Sequence, residues 1–187
     1  MVALEALSGA LRGAAAWQAD YRQEYIAAGM TAGEQVAGVV VVSWPDRALV
    51  RAGDPTSQMM GLDGPVVRLV DLEAPSCDEQ VLDADEWARV PLAAVLDPRG
   101  AVDRFTVLDH GDRGFVLVPR EPGGVDRVEV VLGDGDLPEE VTVVYPQGAT
   151  NNLRFSDWLK SDGPPDCGWL PEPPAGLDSI TDNRHAD

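Results

Sequence analysis

Gln58-Met59-Met60-Gly61-Leu62-Asp63-Gly64-Pro65-Val66-Val67-Arg68-Leu69-Val70-Asp71-Leu72 consists of two extended runs, Gln58 to Leu62 and Val66 to Leu72, set either side of Asp63-Gly64. That dipeptide favours the positive φ values of a tight hairpin turn, so the stretch predicts two antiparallel strands. The runs before it agree. Val36 to Trp44 is rich in valine, whose β-branched side chain suits a pleated strand better than a helix. Beyond Pro45-Asp46, Arg47 to Arg51 places Ala48 and Val50 on one face and Arg47, Leu49 and Arg51 on the other, the pattern of a half-buried strand.

Further toward the start, Leu4, Leu7, Leu11, Ala14, Trp17, Tyr21 and Tyr25 recur at steps of three and four. This predicts a helix up to about Ala28, or a helix running into a strand, ended by Gly29 and Thr31-Ala32-Gly33. Downstream, Asp83 or Asp85 is placed to cap a short helix through Trp87 and Val90. Pro91-Leu92-Ala93-Ala94-Val95-Leu96 reads as another helical turn, closed by Asp97-Pro98-Arg99-Gly100. Strands return at Arg104 to Leu108, Phe115 to Pro119, Arg127 to Leu132, Val141 to Tyr145 and Leu153 to Trp158, with glycine- and proline-rich turns between them. Val128, Val130 and Leu132 alternate with Arg127, Glu129 and Val131, and Leu153 and Phe155 with Arg154 and Ser156, so one sheet face is apolar. The fold class is α+β, mainly antiparallel β. From Ser161 the chain is acidic and proline-rich, which divides it into a domain over 1–160 and an extended or disordered tail over 161–187, with Cys167 and Trp169 as anchoring points.

The 187 residues carry 32 acidic against 14 basic side chains, a net charge of −18, and this field repels nucleic-acid phosphates and anionic membrane surfaces. No stretch approaches the roughly eighteen apolar residues of a membrane span, so the chain does not cross a bilayer as a helix. Its first residues lack an export signal, so the protein either stays inside or has lost a signal. Cys77 and Cys167 are too few and too far apart for a zinc site; in an exported protein they form a disulfide or remain unrelated thiols.

The residue types of catalysis are sparse. His110 falls in a predicted turn and His185 in the tail, neither placed as a base beside a nucleophile; Lys160 is the sole lysine, and no phosphate loop surrounds it. Gly133-Asp134-Gly135-Asp136 lacks the remaining ligand spacing of a calcium loop and reads as a hairpin turn. The expectation is a binding protein, not an enzyme, without metal or cofactor.

Read in order, several segments resemble the LolA-type periplasmic lipoprotein carriers. Trp17-Gln18-Ala19-Asp20-Tyr21-Arg22-Gln23 is similar to that family's spaced aromatics and glutamine, and Gly38-Val39-Val40-Val41-Val42-Ser43-Trp44-Pro45 to its glycine-led strand ending at a proline. The Asp63-Gly64 hairpin, Pro91 to Leu96, Phe105-Thr106-Val107, Gly114 to Arg120 and the run from Val128 through Leu137 resemble later family segments, so the likeness covers roughly Leu4 to Leu159. It implies a curved, incomplete β-barrel with helices covering the concave face around an apolar cavity for acyl chains of a lipoprotein or lipid. It further implies a periplasmic, monomeric carrier working between an inner-membrane exporter and an outer-membrane acceptor. The same fold also suits an envelope sensor or protein-interaction module without lipid cargo. Trp44 stands where the best-known carriers have a basic residue able to grip a lid carbonyl. On this reading the lipid-contact set is Val40, Val42, Trp44, Ala48 and Val50 from strands, with Trp17, Tyr21, Leu92 and Leu96 from helices.

Overall fold

The computed structural model describes residues 2–83, 86, 95–96, 102–164, 168–176 and 180–181. A helix α1 (Val2–Leu11) precedes eleven antiparallel strands: β1 (Ala16–Ile26), β2 (Glu34–Ser43), β3 (Arg47–Ala52), β4 (Gln58–Asp63), β5 (Val66–Asp71), β6 (Ser76–Val81), β7 (Phe105–Asp109), β8 (Gly114–Pro119), β9 (Arg127–Leu132), β10 (Pro138–Val144) and β11 (Thr150–Ser161). A two-residue strand β12 (Ile180–Thr181) pairs in parallel with β6. The spatial order β12-β6-β5-β4-β3-β2-β1-β11-β10-β9-β8-β7 describes two meanders, β1 to β6 and β7 to β11, joined where the long strands β1 and β11 pair. The sheet is open, since β7 lies at one end of that order and β12 at the other.

The predicted hairpin is present: Asp63 pairs with Val66 across Gly64-Pro65, and Gly64 takes φ +57°. The five later strands fall where the alternation places them, and Val128, Val130 and Leu132 are almost wholly buried while Val131 is 37% exposed. Asp83 does cap a helical start. Its carboxylate accepts the Glu86 amide proton at 2.7 Å, and the Glu86 carboxylate accepts that of Asp83 at 3.0 Å, a reciprocal capping box. Most of the helix expected between Asp83 and Leu96, including Asp85 and Leu92, lies outside the described residues; Val95 and Leu96 are helical and buried.

Two expectations change. The N-terminal segment takes the second of its two expected forms, a helix running into a strand, so Trp17 and Tyr21, placed on a helix in the contact set, are strand residues. A step of four fits both one helix face and one strand face, so Trp17, Tyr21 and Tyr25 satisfied either period; Gly13 and the aromatic content decided for the strand. Second, Leu49 faces away from the concave side yet is 0% exposed, and Val41 beside it is 3% exposed. The reason lies in the C-terminal segment. A methyl group on Gly61, the cross-strand partner of Leu49, would collide with the Trp169 carbonyl oxygen and Pro171 Cδ and come within 2.9 Å of Leu170 Cα. Arg68 donates to the Pro171 carbonyl at 3.1 Å while holding Glu79 of β6 through its Nε at 2.9 Å. Residues 169–171 thus lie as a strap across the convex face.

The core fills the concave side. Leu4, Leu7 and Leu11 of α1 meet Val42, Ala48, Leu62, Leu96, Phe115, Leu117, Val128 and Val130 in one buried cluster. A ten-residue helix is too short to persist alone, so its stability comes from this face.

Candidate functional site

The helix leaves part of the concave face uncovered, and there the sheet encloses a cavity of about 610 Å³. Val40 of β2, Val50 of β3, Met60 of β4 and Leu69 of β5 form one wall, carried there by the register that pairs each with the next. Tyr21 of β1, Phe155 and Leu153 of β11 and Val143 of β10 form the other. Asp78 of β6 also lines it, seven strands from Val143. Flat strands would hold these two about 34 Å apart, so a shared cavity requires the sheet to curl. That gives the curved, incompletely closed barrel with helical cover.

The sequence-derived contact set divides between cavity and core. Tyr21, Val40 and Val50 line the cavity. Trp17, Val42, Trp44, Ala48 and Leu96 share the concave side but do not line the cavity; they pack with the α1 leucines in a cluster that also takes in Tyr21 and Val40. Leu92 is outside the described residues. Burial within this apolar wall pushes the Tyr21 phenol above its ordinary pKa of 10.0, so the hydroxyl stays protonated.

Trp17 and Trp44 instead fasten the end of α1. Trp17 Nε1 donates to the Leu11 carbonyl at 3.2 Å, satisfying one of the carbonyls left open at the helix C-terminus. Arg12, one residue beyond, lays its guanidinium 4.0 Å from the centre of the Trp44 ring. Ser43 donates to the Ala15 carbonyl at 2.7 Å, tying the following turn to β2. The helix end thus supplies the cation, and the residue that follows β2 supplies the ring.

Polar groups gather at one side of the cavity. Asp71 accepts backbone protons from Glu73 at 2.9 Å and Ala74 at 2.8 Å and a side-chain proton from Gln58 at 3.0 Å. The Ala74 amide and then Gln58 hold its carboxyl below the usual carboxylate range. Asp78 lies beside it, and Asn151 across the cavity keeps its Oδ1 buried without a hydrogen-bond partner among the described residues. Met60, Leu69 and Phe155 were within reach of strand parity extended across the hairpins; β6 was not, because Ser76-Cys77-Asp78-Glu79-Gln80-Val81 has no valine-rich run. Cys77 is buried on the convex side, and Cys167 lies outside the described residues. Among the described residues no group of three His, Cys, Asp or Glu is arranged to hold a metal, and no helix is long and apolar enough to cross a membrane. The Gly133–Asp136 segment is a turn between β9 and β10, with Gly135 at φ +72°.

No family model matches the chain, and no curated protein matches it. Among solved structures it is similar to a LolA superfamily protein from Nitrosomonas europaea, at 11% identity and TM-score 0.45, over 87% of this chain and 94% of that one. It is similar to a chain of the MucA/MucB complex of Pseudomonas aeruginosa at 16% identity and TM-score 0.49, over 84% of this chain but 56% of that longer one. A putative outer membrane lipoprotein-sorting protein domain from Vibrio parahaemolyticus gives 10% identity and TM-score 0.46, over 83% and 91% of the two chains. These are loose likenesses of fold. The open antiparallel sheet with a helix on its concave face is defined by the strand order and the packing described above.

Proposed function

We propose that the protein holds the acyl chain of a lipid or lipoprotein in the concave cavity and carries it through the periplasm toward the outer membrane, taking it from an inner-membrane exporter and passing it to an acceptor. The observation that carries this reading is the cavity itself, about 610 Å³ with walls of valine, leucine, methionine and aromatic side chains and an open side. An apolar site of this size suits a flexible hydrocarbon, whose burial contributes about 0.8 kcal/mol per methylene without any directional contact. Release of a tightly held chain is the step at which a partner acts, by biasing the protein toward its empty state.

The test is to extract the natively purified protein with organic solvent and identify lipid by mass spectrometry, then to follow uptake of a fluorescent acyl probe by wild type and Leu69→Asp. Leu69 lines the cavity and is 49% exposed, so a charge there is tolerated by the fold. Stoichiometric lipid, with probe uptake lost in the folded variant, is the expected result. Neither lipid nor uptake transfers the reading to an envelope sensor or protein-interaction module.

A further inference from the structure

An apolar cavity explains how a hydrocarbon tail is held but says nothing of the head attached to it, and the cavity rim carries a one-sided charge pattern. Asp71 and Asp78 lie on adjacent strands and both line the cavity. Three hydrogen bonds keep Asp71 ionised. The described lining contains no Lys, Arg or His. The arginines of the same strands, Arg51 and Arg68, fall on alternate positions and face the convex side, where Arg68 is engaged by Glu79 and the strap.

From this pattern, and resting on the acyl-binding reading, we infer that the site selects cargo whose polar head carries no negative charge and presents N–H or O–H hydrogens. The physics is direct. A carboxylate or phosphate brought to this rim meets two carboxylates and no cation, inside a protein of net charge −18, and its loss of hydration is not repaid. An amine, amide or hydroxyl head instead supplies donors to the exposed Asp78 carboxylate. Selection therefore comes as much from what the rim rejects as from what it bonds.

The experiment compares three ligands with one tail and different heads, palmitate, monopalmitoylglycerol and hexadecylamine, against the full chain by displacement of the neutral dye N-phenyl-1-naphthylamine and by calorimetry on each ligand. At low salt palmitate is expected to bind about tenfold more weakly than the glycerol ester, the penalty expected of like charges a few ångströms apart in water, since Asp78 is exposed. The amine is expected to bind at least as tightly as the ester, and Asp78→Lys to bring palmitate up to the ester. Palmitate binding as tightly as the ester in wild type, or a gap that survives both Asp78→Lys and high salt, overturns the head-group assignment while leaving the acyl site standing. Failure of all three ligands overturns the acyl reading and this inference together.

Discussion

Replacing Val50 by phenylalanine should shorten the longest acyl chain that the cavity accommodates. Val50 sits between Val40 and Met60 on the cavity wall and is only partly buried, so a larger ring there turns into the open space. At about 30 Å³ per methylene, near the volume a water molecule occupies in the liquid, 610 Å³ accepts about twenty chain carbons. Each buried methylene contributes about 0.8 kcal/mol, so affinity should rise about fourfold per carbon up to that length and then level off. Phenylalanine has four more side-chain carbons than valine, and in space packed at protein density they displace about three to four carbons of ligand. The plateau should therefore move from about twenty carbons to about sixteen or seventeen, and the longest chains should lose about 3 kcal/mol while short ones are unaffected. Dye displacement by a series of monoacylglycerols measures both curves. A plateau at the same length in a folded Val50→Phe protein would refute the assignment of this wall, and affinity independent of chain length would refute burial as the source of binding.

Leu7 is 0% exposed between α1 and the sheet, so Leu7→Ala should cost about 3 kcal/mol, read as a lower urea midpoint; a loss under about 1 kcal/mol would mean that the helix does not rest on the sheet. Gly61→Val should push residues 169–171 off the convex face, and Cys77, 3% exposed on that same face, serves as the reporter of the cover's loss. In a Cys167→Ser background its reaction with a thiol reagent should speed up at least tenfold, and an unchanged rate in folded protein would show that the strap does not shield it. Tyr21 should titrate above 10.0 by absorbance, isolated by subtracting Tyr21→Phe. Because its folded pKa is raised, its contribution to stability is complete below about pH 10 and is lost as the pH rises through the folded value. Bound hydrocarbon removes more water and should move that titration higher still, whereas a Tyr21 pKa insensitive to saturating ligand would place the cargo elsewhere.

The sheet was legible because strand alternation is a local signal. Val128, Val130 and Leu132, or Ala48 and Val50, declare their faces within six residues, and Asp63-Gly64 fixes a turn without reference to anything distant. What misled was a coincidence of periods at Trp17 and Tyr21, and what was invisible was long-range cover. Leu49 reads as solvent-facing until Trp169 and Pro171 arrive from beyond the last long strand. Nor did β6 announce itself, since it is made a strand by pairing with β5 and not by its own residues. Within the site, parity placed Val40 and Val50 on the concave side, and Tyr21 entered the set only through a helix-face reading; where α1 stops covering that side is set by packing, so the line between core and cavity could not be drawn from the chain alone.

The pairing of β1 with β11 also governs the order in which the molecule can be made. Tyr21 must wait for Phe155, which is synthesised only after nearly the whole sheet has appeared. Such distant pairing makes for slow folding, because the loop must be closed before the contact rewards it. Until then β1 presents a free edge and the concave apolar surface has no opposite wall. A nascent chain of this protein is therefore obliged to stay loose and in need of protection until its final strand is available, and cutting the gene before Thr150 should yield aggregate rather than a smaller barrel.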